Sequence, residues 1–283
     1  VTPEQIAALP RPLAFVLPGG GALGSYQVGV LRALTEVGVV PDLLVGVSAG
    51  SVNAALFAWN SGLDGIARVE AIWRTIRRRD LMRLHPGHMA MAFAGRHPSF
   101  LENRHGHAFL RRHLGNRAVE HSPVPLVLVA TDLSTGEAVA LTRGDAATAV
   151  LASTAFPGVY PPIELDGRTL IDGGVVADVP LDLTLAHGAA SALVLGVPPV
   201  EPGPPPRRAI DILFRASSLG VEAHGRTMLR RPPPGLHVHV LPAPPSSLTT
   251  FSVGRSADMI ELGHTTASQW LAEPFVRESA PST

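Results

Sequence analysis

Leu13-Ala14-Phe15-Val16-Leu17-Pro18-Gly19-Gly20-Gly21-Ala22-Leu23-Gly24, and then Leu43-Leu44-Val45-Gly46-Val47-Ser48-Ala49-Gly50, are the stretches on which the fold turns. Each opens with an unbroken apolar run, the pattern of a strand covered on both faces of a parallel sheet. Each then breaks at glycine and resumes with helical spacing. Tyr26, Val30, Leu34 and Val37 share one stripe of a helix predicted over Leu23 to Val37, with Gly38 as its stop. Gly24 and Gly29 are expected to let that helix approach the sheet. A second helix is predicted from Ala49 to Trp59. Strand, turn and helix repeated in this way predict an α/β chain: a three-layer sandwich with a mostly parallel central sheet and helices on both faces.

Composition narrows the classes of function. The chain has 283 residues, 46% hydrophobic and 16% charged, enough for a large core in one domain. Its basic residues are all arginine and equal the acidic ones in number, which argues against nucleic-acid binding. With no cysteine, disulfides, thiolate metal sites and cysteine nucleophiles are excluded. Residues 1–12 lack the layout of a secretory signal, and no window approaches the ~18 apolar residues of a membrane span. The expected compartment is therefore cytoplasmic.

Further along, a helix is predicted from Asp64 to Arg79, its last three arginines suiting a helix C-terminus. Residues 80–122, irregular and rich in histidine and arginine, read as a helical cap or insertion holding the apolar run Met89 to Phe93. Strands follow at Leu126 to Ala130 and Ala138 to Thr142, and Asp145 caps a helix reaching Ser153. Short strands at Ile163 to Leu165 and Thr169 to Ile171 lead into Asp172-Gly173-Gly174. Ala192 to Val197 is another buried strand. After the proline-dense loop Pro198 to Pro206, residues 201–283 complete the domain as helix (Ile210 to Leu229), strand (His237 to Leu241) and helix (Ser256 to Leu271).

The second glycine-framed turn carries the chemistry. In Gly46-Val47-Ser48-Ala49-Gly50 the serine sits at a strained point between strand and helix, where side chains two residues either side would collide. Ser48 then projects at a helix N-terminus, whose partial positive charge favours a developing anion. The N–H of Ala49 and those of Gly19, Gly20 and Gly21 form a candidate oxyanion hole. Gly19 to Gly24 also fits a dinucleotide-binding turn, but that reading needs an acid at the C-terminal end of the second strand. Asp42 stands before the strand instead. For a base, His237, His239 and His264 are candidates, although alternation in His237-Val238-His239 suits a half-exposed strand face. Asp172 is better placed, since its two glycines permit a sharp turn that aims a carboxylate at a neighbouring loop. A free carboxylate, with a pKa of ~3.9, is a poor base, so desolvation must help it.

With these motifs in order, the sequence resembles the patatin-like phospholipase family. The likeness runs through Ala152 to Pro162 and on to Val179-Pro180, spanning about residues 13–200. The resemblance implies a catalytic core over that span, with Ser48 as nucleophile, Asp172 as the base and no catalytic histidine. Gly19, Gly20, Gly21 and Ala49 then line the oxyanion hole, while Gly24, Gly46, Gly50, Gly173 and Gly174 shape the motifs. It implies hydrolysis of lipid esters through an acyl-enzyme, with a lipid or small ester as substrate, transient contact with a membrane surface, and no metal or other cofactor. The chain departs from the family at Leu23, where many members carry arginine or lysine, and at Asp178, where asparagine is common. A neutral acyl ester or lysolipid therefore stands beside a diacyl phospholipid as substrate. An acyltransferase sharing the acyl-enzyme and a non-catalytic lipid-binding protein are the alternatives.

Overall fold

The computed structural model of the chain describes residues 2–81, 86–203 and 205–273. The apolar runs become strands β1 (Leu13–Leu17), β2 (Leu43–Val47), β3 (Leu126–Asp132) and, after three intervening strands, β7 (Ser191–Leu195). The intervening ones are β4 (Ala138–Leu141), β5 (Ile163–Leu165) and β6 (Arg168–Asp172), and β8 is His237–Leu241. Helices up to the cap segment are α1 (Pro3–Ala7), α2 (Ser25–Glu36), α3 (Ala49–Ala58), α4 (Leu63–Thr75), α5 (Arg78–Leu81) and α6 (Pro86–Phe93). Beyond it come α7 (Arg104–Leu114), α8 (Ala146–Ser153), α9 (Gly174–Ala177), α10 (Leu181–Ala186), α11 (Ala209–Arg230) and α12 (Ser256–Ala272).

The strands form one mixed sheet in the order β5-β6-β3-β2-β1-β7-β8, with β4 also paired to β3. From β3 to β8 along that path the pairs are parallel, while β4, β5 and β6 run antiparallel to their partners. Alternation along the strands divides the core into two layers. Leu13, Phe15, Leu17, Leu44 and Leu128 pack with residues of α2, α3, α4, α7, α8 and α12. Ala14, Val16, Val45, Val47, Val127 and Val129 pack with Ala177, Val179 and Leu181 on the opposite face. The sheet is thus covered on both sides, and β1 and β2 are buried at every position.

Two sequence expectations need correction. Gly29 approaches α12 rather than the sheet: a Cβ there would collide with the Ile260 carbonyl, and one at Gly263 with the Tyr26 carbonyl. Gly24 likewise meets Ala49 of α3, its virtual Cβ 2.9 Å from the alanine methyl. The helix expected to end at Arg79 stops at Thr75, because the buried Ile76 turns the backbone to an extended conformation. Asp80 then accepts from the Arg77 N–H at 2.9 Å as α5 begins. Within the segment expected to cap the site, Leu110 and Leu114 of α7 are buried against the core. Met91 is exposed, and the side chains of Ala90 and Phe93 lie outside the described residues.

Candidate active site

Ser48 sits where β2 ends and α3 begins, with φ 52° and ψ −124°. Such a conformation costs a non-glycine residue roughly 1–3 kcal/mol and persists only where its surroundings impose it. They do so through the flanking glycines. A Cβ on Gly46 would lie 2.7 Å from the Gly50 carbonyl oxygen, and one on Gly50 would collide with the Leu17 carbonyl at the end of β1. The Ser48 N–H donates to Ser153 Oγ at 3.0 Å, and Ser153 in turn donates to the Val129 carbonyl at 2.6 Å. Ser51 Oγ donates to the Ser48 carbonyl at 2.6 Å, tightening the first turn of α3.

Asp172 ends β6 and is buried. Its Oδ2 accepts from Ser48 Oγ at 2.6 Å, and its Oδ1 accepts from the Gly174 N–H at 2.8 Å. Burial lifts the carboxyl to about 6, against the lowering pull of those two hydrogen bonds. The titration of this carboxyl is thereby brought toward neutral pH.

The glycine-rich loop lies against this pair. Of the donors expected there, the Gly19 N–H is already taken: it donates to Asp178 Oδ1 at 2.9 Å. The carboxylate that follows β6 thus competes for the loop's first N–H. At the other end of the loop, the Ala22 N–H donates to the Thr250 carbonyl at 2.9 Å. Between them, the N–H groups of Gly20 and Gly21, like that of Ala49, have no hydrogen-bond partner among the described residues. The structure also brings together residues that the sequence did not single out. In the sequence Ser153 marks only a helix end and Asp178 only a departure from a family pattern; neither contact is encoded locally.

The histidines considered as bases lie elsewhere. His264 Nε2 is 2.7 Å from Glu36 Oε2 on the α2–α12 face, His237 is exposed, and no histidine is among the described residues lining the cavity. Asp42 is bound at the opposite end of β2, accepting from the Leu13 N–H at 2.6 Å. Asp132 accepts from the Ser134 N–H at 2.9 Å and shapes the turn after β3.

Ser48 and Asp172 open into a cavity of about 630 Å³. Leu23, Val52, Trp73, Phe109, Leu110 and Leu151 line the part on the side of α3, α4 and α7. Glu222, Gly225 and Arg226 of α11 line it on the other. Glu222 is paired with Arg215 at 3.1 Å and faces Arg226 at 3.6 Å.

An α/β sheet with a strained serine at a strand–helix elbow, hydrogen-bonded to a buried carboxylate, defines the class of folds that carry a nucleophile elbow. The profile of the patatin-like phospholipase family matches residues 15–185, more than half of the sequence, and the chain belongs to that family. An uncharacterized NTE family protein of Mycobacterium tuberculosis is 32% identical over 195 residues, covering 68% of this chain and 51% of the relative. A patatin-like phospholipase domain-containing protein of Caenorhabditis elegans is 31% identical over 194 residues, which are 67% of this chain and 14% of that protein. The chain therefore spans about half the length of the mycobacterial relative and a small part of the nematode one. Among solved structures, VipD from Legionella pneumophila aligns over 93% of this chain and 67% of its own, with a TM-score of 0.48 and 15% identity.

Proposed function

We propose that this chain hydrolyses carboxylic esters of lipids, of the phospholipase A, lysophospholipase or esterase type, through a Ser48–Asp172 dyad and an acyl-enzyme. The observation that carries the reading is the 2.6 Å hydrogen bond from Ser48 Oγ to the Asp172 carboxylate at the wall of an apolar cavity. Asp172 takes the hydroxyl proton as Ser48 Oγ attacks the ester carbonyl. The N–H groups of Gly20, Gly21 and Ala49 receive the oxyanion, assisted by the positive end of α3. As the tetrahedral species collapses, the C–O bond breaks and Asp172 returns the proton to the leaving alcohol. Water then gives a proton to Asp172, attacks the acyl-enzyme and releases the fatty acid, and the proton passes to Ser48.

The apolar wall suits an acyl chain. Val240 and Phe251 line the cavity and are 44% and 48% exposed, so its mouth carries an apolar rim suited to transient contact with a lipid surface.

A fluorophosphonate probe tests the reading. Wild-type protein is expected to be labelled on Ser48 and to hydrolyse a p-nitrophenyl ester, with both lost in Ser48→Ala. Asp172→Asn is expected to lower kcat by roughly a thousandfold or more, as removal of a member of a catalytic constellation does. Folded wild-type protein that neither labels nor hydrolyses any ester would leave a lipid-binding role. Diversion of the acyl group to an added alcohol in preference to water would make it an acyltransferase.

A further inference from the structure

The glycine loop is pinned at two points, Gly19 and Ala22, and between them lie the Gly20 and Gly21 N–H groups, without partners among the described residues. The Ala22 pin is an ordinary backbone contact with Thr250. The Gly19 pin is a side chain reaching from 159 residues away: Asp178 Oδ1, 2.9 Å from the Gly19 nitrogen. Gly19 is also tightly enclosed, since a Cβ on it would lie 3.0 Å from Asp178 Oδ1 and 3.1 Å from Ser48 Cβ. The loop is therefore gripped between Asp178 and the elbow itself.

We propose that Asp178 is a positioning residue: its carboxyl fixes Gly19 and so seats the Gly20 and Gly21 N–H groups against Ser48. The inference rests on the hydrolase reading above, because it assigns those N–H groups to the oxyanion. Three carboxyl residues meet here. Asp172 approaches from β6 and Glu222 from α11, the latter partnered by Arg215 and Arg226. Loss of water contact is the main cause that raises the Asp178 carboxyl to about 7, and the charges of Asp172 and Glu222 add to it. Charged or protonated, that carboxyl offers Gly19 an acceptor oxygen, as a side-chain amide would. Asparagine is therefore expected to replace it in this role, and alanine is not.

The experiment compares wild type with Asp178→Asn, Asp178→Ala and Asp178→Leu on a p-nitrophenyl ester. The alanine and leucine variants lack an acceptor and are expected to lose roughly 30-fold or more in kcat, with KM within about threefold, because the oxyanion donors act on the transition state. The asparagine variant is expected to stay within about fivefold of wild type. Folded alanine or leucine variants with wild-type kcat overturn the proposal, as does an asparagine variant that falls as far as they do. Hydrogen exchange in the wild type supplies a reading independent of turnover and of whether any variant folds. The Gly19 amide is expected to be protected while those of Gly20 and Gly21 exchange freely, and equal exchange at all three overturns the proposal. A wild type that neither labels on Ser48 nor hydrolyses ester ends the hydrolase reading, whereas the pin itself is still judged by exchange.

Discussion

Val47 and Asp172 pair with consecutive residues of one strand: Val47 with Val129 and Asp172 with Ala130, both on β3. Because β4 occupies the opposite edge of β3 from Leu128 to Thr131, β2 and β6 must share the remaining edge, one continuing where the other stops. Ser48 leaves the sheet at that junction and Asp172 arrives at it. The register of β3 thus sets the 2.6 Å contact between residues 124 apart in sequence. The Thr131 hydroxyl adds a lock, donating to the Asp172 carbonyl at 2.9 Å.

Burial of Asp172 has opposite consequences for rate and for stability. In the proposed mechanism Asp172 must be ionised to take the Ser48 proton, so kcat/KM is expected to rise with pH through about 6, measured on a p-nitrophenyl ester from pH 4.5 to 8. Stability runs the other way. With its folded pKa raised above the ordinary ~3.9, the group contributes most below that value, and the contribution is lost as pH rises through about 6. The shift corresponds to a cost of about 3 kcal/mol once the carboxylate is charged in the native state. Asp172→Asn escapes that cost. It keeps an acceptor for Gly174 and offers a donor to Ser48. Urea unfolding is expected to find it more stable than wild type at pH 8 by up to about 3 kcal/mol, with the gap closing near pH 4. A gap independent of pH would contradict this account.

Ser153 supports the elbow from below. Its hydroxyl receives the Ser48 N–H and passes a hydrogen bond to β3, so Ser153→Ala leaves that N–H without an acceptor. The expected cost is about 1–3 kcal/mol in stability, read from chemical denaturation. A fall of roughly tenfold in kcat is expected with it, because Ser48, the proposed nucleophile, loses its fixed orientation.

Two glycine-to-alanine substitutions separate steric need from mere presence. At Gly50 a methyl would enter the Leu17 carbonyl, so Gly50→Ala must part α3 from β1. It is expected to cost about 3 kcal/mol and to abolish labelling of Ser48. Gly220, on α11, has nothing within 4 Å of its virtual Cβ. Gly220→Ala is expected to raise stability by up to about 1 kcal/mol, since alanine restricts the unfolded chain and favours helix. Thermal unfolding of the pair, with the labelling assay, checks both.

The sequence showed elements more readily than contacts. The strands expected at Leu13–Leu17 and Leu43–Val47 form over those residues, the first ending at Pro18 and the second running through Gly46 to the elbow serine. Asp145 caps α8 as read, accepting from the Thr148 N–H at 2.8 Å. The relation of Ser48 to Asp172 came from motif resemblance, since nothing near either residue encodes the shared edge of β3. The same holds for Asp178 on Gly19 and for Gly29 against α12, which depend on packing across more than a hundred residues. The arginine run does not mark the helix end, because charge there is a weak stop signal and the buried Ile76 turns the chain first.

The described lining of the cavity is also unevenly charged. Its described lining includes the carboxyl groups of Asp172, Asp178 and Glu222 but one guanidinium, that of Arg226, which already faces Glu222 at 3.6 Å. Leu23, on the glycine-rich segment, is buried and apolar, so the loop brings no cation to the ester. A phosphate group carried beside the scissile bond would meet acidic groups and find no unpaired cation among the described lining residues. Like-charge juxtaposition of this kind costs up to several kcal/mol in recognition. With acyl chain held constant, kcat/KM for a monoacylglycerol is expected to exceed that for the corresponding lysophosphatidic acid by roughly tenfold or more. Glu222→Gln, which removes one of those charges, is expected to narrow the difference. The measurement is fatty-acid release from both lipids in matched mixed micelles, and a preference for the phosphate-bearing lipid would contradict the charge argument.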